Sequence, residues 1–195
     1  MVKAAILHEG SPNDKTADKK LIRSLIEKLG LPESSIVYYA FGSKNEFFKT
    51  TNPNYLGLKG YVEAGQIDKM LFIVDADHEK DDAKYKGYQN TENELKRIID
   101  ELGFQDIARF YIVCDPATKT GYLESLILAS LAKEKRSCIE RFVECSQINP
   151  KQIHKTIINH LYTIAYPDPP YNFDHFYFDE LKAELTKLFT NATTI

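Results

Sequence analysis

Tryptophan is absent, methionine occurs twice and cysteine three times in 195 residues. Cys114, Cys138 and Cys145 are odd in number and none sits in a Cys-x-x-Cys pair. They read as reduced thiols of a cytosolic protein rather than as a disulfide frame or a zinc site. No apolar run reaches membrane-spanning length, and the run near the amino terminus is too short for a signal peptide. The expected setting is the cytoplasm, with no membrane partner. Neither sign of charge prevails: Lys and Arg number 25, Asp and Glu 28, for a net charge of -3. That balance argues against a non-specific coat on nucleic acid but leaves room for a local basic face. There is no P-loop and no Gly-x-Ser-x-Gly elbow, so nucleoside-triphosphate hydrolysis and acyl transfer have no sequence support. With 43% apolar and 27% charged residues and no internal repeat, the composition is that of a globular protein whose length favours one domain.

What the chain does contain is an abrupt junction of apolar and acidic residues. Lys69 to Glu79 reads Lys-Met-Leu-Phe-Ile-Val-Asp-Ala-Asp-His-Glu. Met70 to Val74 are apolar without alternation, the pattern of a strand covered on both faces in a parallel sheet. The run stops at Asp75 and Asp77. Ligands of open parallel sheets sit beyond the carboxyl ends of the strands. Two aspartates one residue apart at such an edge can both reach a hard cation such as Mg2+. The competing reading makes them ordinary loop acids that cap a helix, since aspartate is favoured in turns anyway.

Taken in order, Lys3 to Leu7 predicts a first strand that delivers Glu9 and Gly10 to its carboxyl end. Leu21, Ile22, Leu25, Ile26 and Leu29 recur at helical spacing from Asp18 and close at Gly30. Ile36 to Phe41 predicts a second strand. Gly42 to Gly60 has no clean period and predicts a loop with one helical turn, followed by a short helix over Tyr61 to Gln66. After the aspartates comes a polar loop, and Thr91-x-x-Glu94 has the form of a capping box opening a helix that ends before Gly103. Arg109 to Cys114 predicts a further strand, and Asp115-Pro116 a turn. A helix follows Gly121, carrying Leu123, Leu126 and Ile127. Helices are also expected over Cys138 to Cys145, Lys151 to Tyr162 and Phe178 to Phe189, with the proline-rich Tyr166 to Tyr171 between the last two. Strands alternating with helices predict an α/β fold: a three-layer arrangement with a central, mostly parallel four-stranded sheet, and a helical C-terminal extension. The boundaries expected are residues 1–135 for the α/β domain and 136–195 for an extension packed on it.

Glu9, Asp75 with Asp77, and Asp115 thus end three predicted strands, with Glu124 close behind in the first turn of a helix. A parallel sheet presents those ends on one edge, and clustered carboxylates call for a divalent cation. Glu9-Gly10 after one apolar strand and Asp75-Ala76-Asp77 after another resemble the Toprim domain of type IA and type II topoisomerases, bacterial primases, small ribosomal-RNA maturases and overcoming-lysogenization-type nucleases. Asp18-Lys19, Gly121-Tyr122-Leu123-Glu124, Asn149-Pro150-Lys151 and Asp168-Pro169-Pro170 extend the resemblance to small stand-alone Toprim-like proteins without an assigned activity.

The resemblance implies a role for each acid. Glu9 would be the proton carrier or a shared ligand, Asp75 and Asp77 would hold Mg2+ (or Mn2+), and Glu124 would support a second metal. A pair of metals can clamp the attacking and leaving oxygens of a phosphodiester. The implied activity is Mg2+-dependent phosphodiester cleavage or phosphotransfer on DNA or RNA. The alternative is a non-catalytic module of the same fold that binds a nucleic-acid end, a nucleotide or a protein partner. This chain departs from the family pattern in the turn inserted between Gly10 and Asp18 and in His8, which stands where an aliphatic residue is usual. Lys15, Lys19 and Lys20 are placed to draw phosphates towards Glu9, although a solvated helix face looks the same. His78, just past the aspartates, is a further candidate phosphate contact, whereas His8 on the strand faces away from Glu9.

Overall fold

In this computed structural model, which describes residues 3–11, 16–78, 84–146, 160 and 171–190, the apolar stretches become four strands. These are β1 (Lys3–His8), β2 (Ile36–Ala40), β3 (Ile67–Asp75) and β4 (Ala108–Val113). They pair in the order β2-β1-β3-β4, and every pair is parallel. The helices are α1 (Ala17–Lys28), α2 (Lys44–Phe47), α3 (Pro53–Glu63), α4 (Tyr88–Leu102), α5 (Leu123–Ala129), α6 (Lys133–Ser146) and α7 (Asp179–Lys187).

Successive side chains along a strand point to opposite faces, and both faces are covered. Ala4, Ile6, Leu71 and Ile73 pack on one side against Leu25 of α1, Leu126 of α5, Ile139 of α6 and Leu181 of α7. Ala5, Leu7, Met70, Phe72 and Val74 pack on the other against Phe47 of α2, Leu58 of α3 and Leu95 of α4. This three-layer α/β sandwich accounts for the unbroken apolar run of β3: neither parity of residue reaches water. Phe72 is fully enclosed, with the Phe47 and Tyr55 rings at 5.8 and 6.4 Å. A large apolar side chain so placed contributes roughly 1.5–3 kcal/mol. The terminal helix shares this packing, since Leu181, Leu185 and Leu188 belong to the same core as β1 and β3. Helix α6 runs continuously through positions 135 and 136.

The stretch Gly42 to Gly60 contains the one helical turn expected there and more helix besides. It holds α2, whose cap Ser43 accepts a hydrogen bond from the Glu46 N–H at 3.3 Å. It also holds most of α3, capped by Asn52 with Pro53 at its first position. Gly57 and Gly60 lie within α3 and interrupt its apolar period, and the helix stops at Glu63 before the left-handed Gly65, so no separate helix covers Tyr61 to Gln66. The capping box at Thr91 is also absent. α4 starts a turn earlier, after Gly87, and Thr91 is buried inside it with its hydroxyl donating to the Tyr85 carbonyl at 3.1 Å. The helix expected over Lys151 to Tyr162, the proline-rich segment, and the motifs Asn149-Pro150-Lys151 and Asp168-Pro169-Pro170 lie outside the described residues. Among the described residues no helix is long and apolar enough to cross a membrane, and all three cysteines are free.

Candidate functional site

The chain leaves β1 for β2 on one side and returns to β3 on the other, so the carboxyl ends of β1 and β3 flank the point where the strand order reverses. Such a switch point opens a crevice between the two connections. A pocket of about 720 Å3 lies there, with Glu9, Asp18, Lys44, Asp75, Asp77 and Lys86 on its walls. Three of the four acids assigned a role from the sequence therefore meet in one cavity.

Glu9 follows the last residue of β1. Its carboxyl lies close to that of Asp75, and its Oε2 is sealed from water without a hydrogen-bond partner. Burial raises the carboxyl from its ordinary 4.5 to about 7. The nearby Lys44 ammonium restrains that rise and the Asp77 charge adds to it. Gly10 leaves room for this turn: a Cβ there would stand 2.8 Å from Asp18 Oδ2 and 3.0 Å from His8 Nδ1.

Asp75, the last residue of β3, is buried and its Oδ1 accepts the Leu123 N–H at 3.1 Å. It thereby caps α5, the first-turn role for which a carboxylate is well suited. Asp77 takes a left-handed φ of 60° and exchanges backbone hydrogen bonds with Gly121, itself at φ 94°. Gly121 is required twice over, because a Cβ would lie 2.2 Å from Ser125 Oγ. The Gly-x-Leu-Glu segment thus acts as the clamp that positions both aspartates.

The central cation was missed from the sequence. Lys44, the first residue of α2, is only 8% exposed. Its Nζ donates to the carbonyls of Asp75 at 2.5 Å and Ala76 at 3.1 Å, to Asp77 Oδ2 at 3.1 Å and to Thr91 Oγ1 at 2.9 Å. Ser43-Lys44-Asn45 in an aperiodic stretch carries no signal for this; the only cue is that a lysine just past a strand end borders the same edge as the acids.

The other residues named from the sequence stand apart. Glu124 is buried in the first turn of α5 and does not line the pocket. It sits near Tyr171, whose phenol is raised first by burial, then by the charges of Asp18 and Glu124. Lys19 lies over the Tyr38 ring at 5.2 Å, Lys20 is exposed, and neither lines the pocket. Lys15 lies outside the described residues. His78 packs edge-on against Tyr122 at 5.2 Å between ring centroids. Asp115 is a turn former: its Oδ1 accepts the Ala117 N–H at 2.9 Å and its Oδ2 pairs with Arg136 at 3.3 Å. His8 is buried on the α1 side, with both ring nitrogens unpartnered. Burial, then the Lys19 charge, lower its imidazole from 6.5 to about 4.

With Lys44 in place, oxygens of both aspartates are already engaged by groups of the chain itself. Among the described residues no three His, Cys, Asp or Glu side chains are grouped so as to hold a metal. Asp75 Oδ1 is held by Leu123, and Asp77 Oδ2 by Lys44. What the chain itself supplies is a carboxyl raised toward neutrality by burial, two anchored carboxylates, a buried ammonium and Lys86 on the pocket wall. No protein-family model, curated protein or solved structure matches the chain.

Proposed function

We propose that the chain is a phosphodiester-cleaving or phosphotransfer protein of Toprim type acting on nucleic acid, with Glu9 as proton carrier at the carboxyl edge of the sheet. The observation that supports this reading best is the meeting of Glu9, Asp75 and Asp77 in one pocket at the β1–β3 switch point. A carboxyl that titrates near neutrality holds a proton it can also release, as general acid–base catalysis requires. Lys44 and Lys86 supply positive charge on the same walls. The requirement for Mg2+ or Mn2+ rests on the resemblance alone.

The test is a panel of single- and double-stranded DNA and RNA, incubated with the chain in EDTA and in Mg2+ or Mn2+. Breakdown by the unaltered chain that Glu9→Gln abolishes is the expected result. Intact substrates under every condition would overturn the reading.

A second reading is favoured by the Lys44–Asp77 ion pair, which already engages the Asp77 carboxylate. In it the pocket is a non-catalytic module that binds a nucleic-acid end, a nucleotide or a protein partner. Retention of nucleic acid without breakdown, unchanged in Glu9→Gln, would select it.

A further inference from the structure

We infer that Lys44 is the resident cation of the acidic edge: its ammonium takes the place from which a divalent ion would balance Asp75, Asp77 and Glu9, so such an ion binds this chain only by displacing Lys44. The inference rests on the pocket being the functional site, and it concerns how that site's charge is balanced.

The first ground is the set of partners. Nζ meets four oxygens, two carbonyls, one carboxylate and one hydroxyl, all within 3.1 Å. Oxygen-only surroundings of this kind are what hard cations take. An ammonium has three donors, so the group is saturated and one N–H is shared. The second ground is depth. A lysine with 8% exposure is tolerated where its charge is paired and its donors are satisfied.

The third ground is how the cradle is held. Thr91 is fully buried on α4 and passes its own hydroxyl hydrogen to the Tyr85 carbonyl, leaving the oxygen lone pairs turned to Nζ. Two of the four oxygens are carbonyls at the end of β3, fixed by the sheet: Ala76 N–H donates to Val113 at 2.8 Å. The cradle is therefore formed by β3, the residues just past it and α4, and α2 delivers the ammonium to it.

The experiment measures Mn2+ alone, by counting free ion in its paramagnetic resonance signal and by thermal unfolding in Mn2+ against EDTA. Three chains are compared: unaltered, Lys44→Met, and Lys44→Met with Asp77→Asn. The unaltered chain is expected to show the same unfolding midpoint in both solutions. Lys44→Met is expected to bind Mn2+ at least about tenfold more tightly and to be stabilised by it, and the double variant to lose both effects. Should Lys44→Met fold poorly, Thr91→Val, which removes one cradle oxygen but keeps the lysine, is expected to show a smaller gain in the same direction. One tightly bound Mn2+ per unaltered chain, equally tight in Lys44→Met, would overturn the inference. So would a failure of both Lys44→Met and Thr91→Val to gain affinity. Nucleic-acid breakdown is scored separately: its absence beside the expected Mn2+ pattern sinks the proposed activity alone, and its presence beside Mn2+ held by the unaltered chain sinks this inference alone.

Discussion

Asp77 and Gly121 hold each other by two backbone hydrogen bonds, Asp77 N–H to Gly121 O at 2.7 Å and Gly121 N–H to Asp77 O at 3.1 Å. Both residues have positive φ, so the acid's direction depends on a glycine that follows a different strand. Gly121→Ala combines a strained φ with a Cβ placed against Ser125. It is expected to destabilise the fold by about 2 kcal/mol, measured by denaturant unfolding. A loss below ~0.5 kcal/mol, the range of an ordinary surface substitution, would show that the clamp is dispensable.

Lys44 and Asp77 form a pair with side-chain exposures of 8% and 15%. Removing one partner of a buried pair leaves an uncompensated charge, at roughly 3–5 kcal/mol. Lys44→Met and Asp77→Asn are each expected to fall toward the lower end of that range. The double variant is expected to lose clearly less than their sum, because the second change removes the charge exposed by the first. Additive losses in this double-mutant cycle would mean that the pair is not coupled.

Asp75 is expected to matter to stability as well as to the pocket. Asp75→Ala removes the acceptor of the Leu123 N–H and should cost about 1–2 kcal/mol, as loss of a helix cap does. Asp75→Asn keeps an oxygen there and should retain most of it. Equal losses in the two variants would refute the capping role.

His8 and Glu9 give opposite pH dependences. Glu9 has a raised carboxyl, ordinary 4.5 against about 7, so the folded chain binds the extra proton and stability from this group is lost as pH rises through that window. His8 has a lowered imidazole, 6.5 against about 4; there the unfolded chain binds the extra proton, and stability is lost as pH falls through that window. Where the windows overlap, between about 4.5 and 6.5, the two slopes cancel. Glu9→Gln is therefore expected to become less stable as pH drops from 6.5 to 4.5, and His8→Leu less stable as it climbs over the same interval. Chemical unfolding at a series of pH values reads both; parallel curves for the two variants would contradict the assignment.

The sheet was legible because Met70 to Val74 and its counterparts are apolar at both parities, which only a doubly covered strand requires. Glu9, Asp75 and Asp77 were legible because parallel strands end on one edge. Lys44 was not, since its burial follows from where α2 lands on β3 and nothing local marks it. The capping role of Asp75 was equally hidden, because its partner Leu123 is 48 residues away. Glycines within α3 masked a helix, and Thr91, whose type and spacing suit a cap, is used instead as an interior hydrogen-bonding residue. Glu124 shows the limit of reading acids by position: a first-turn glutamate of a buried helix can be turned into the packing.

The clamp on the aspartates also has a consequence for biosynthesis. As the polypeptide emerges, β1, β2 and β3 are all made before Gly121 and Leu123, the partners of Asp77 and Asp75, have been translated. A nascent fragment ending just past Asp77 carries every acid of the pocket and neither of the groups that aim them, so the cavity takes its shape only after the fourth strand and the turn beyond it have joined the sheet.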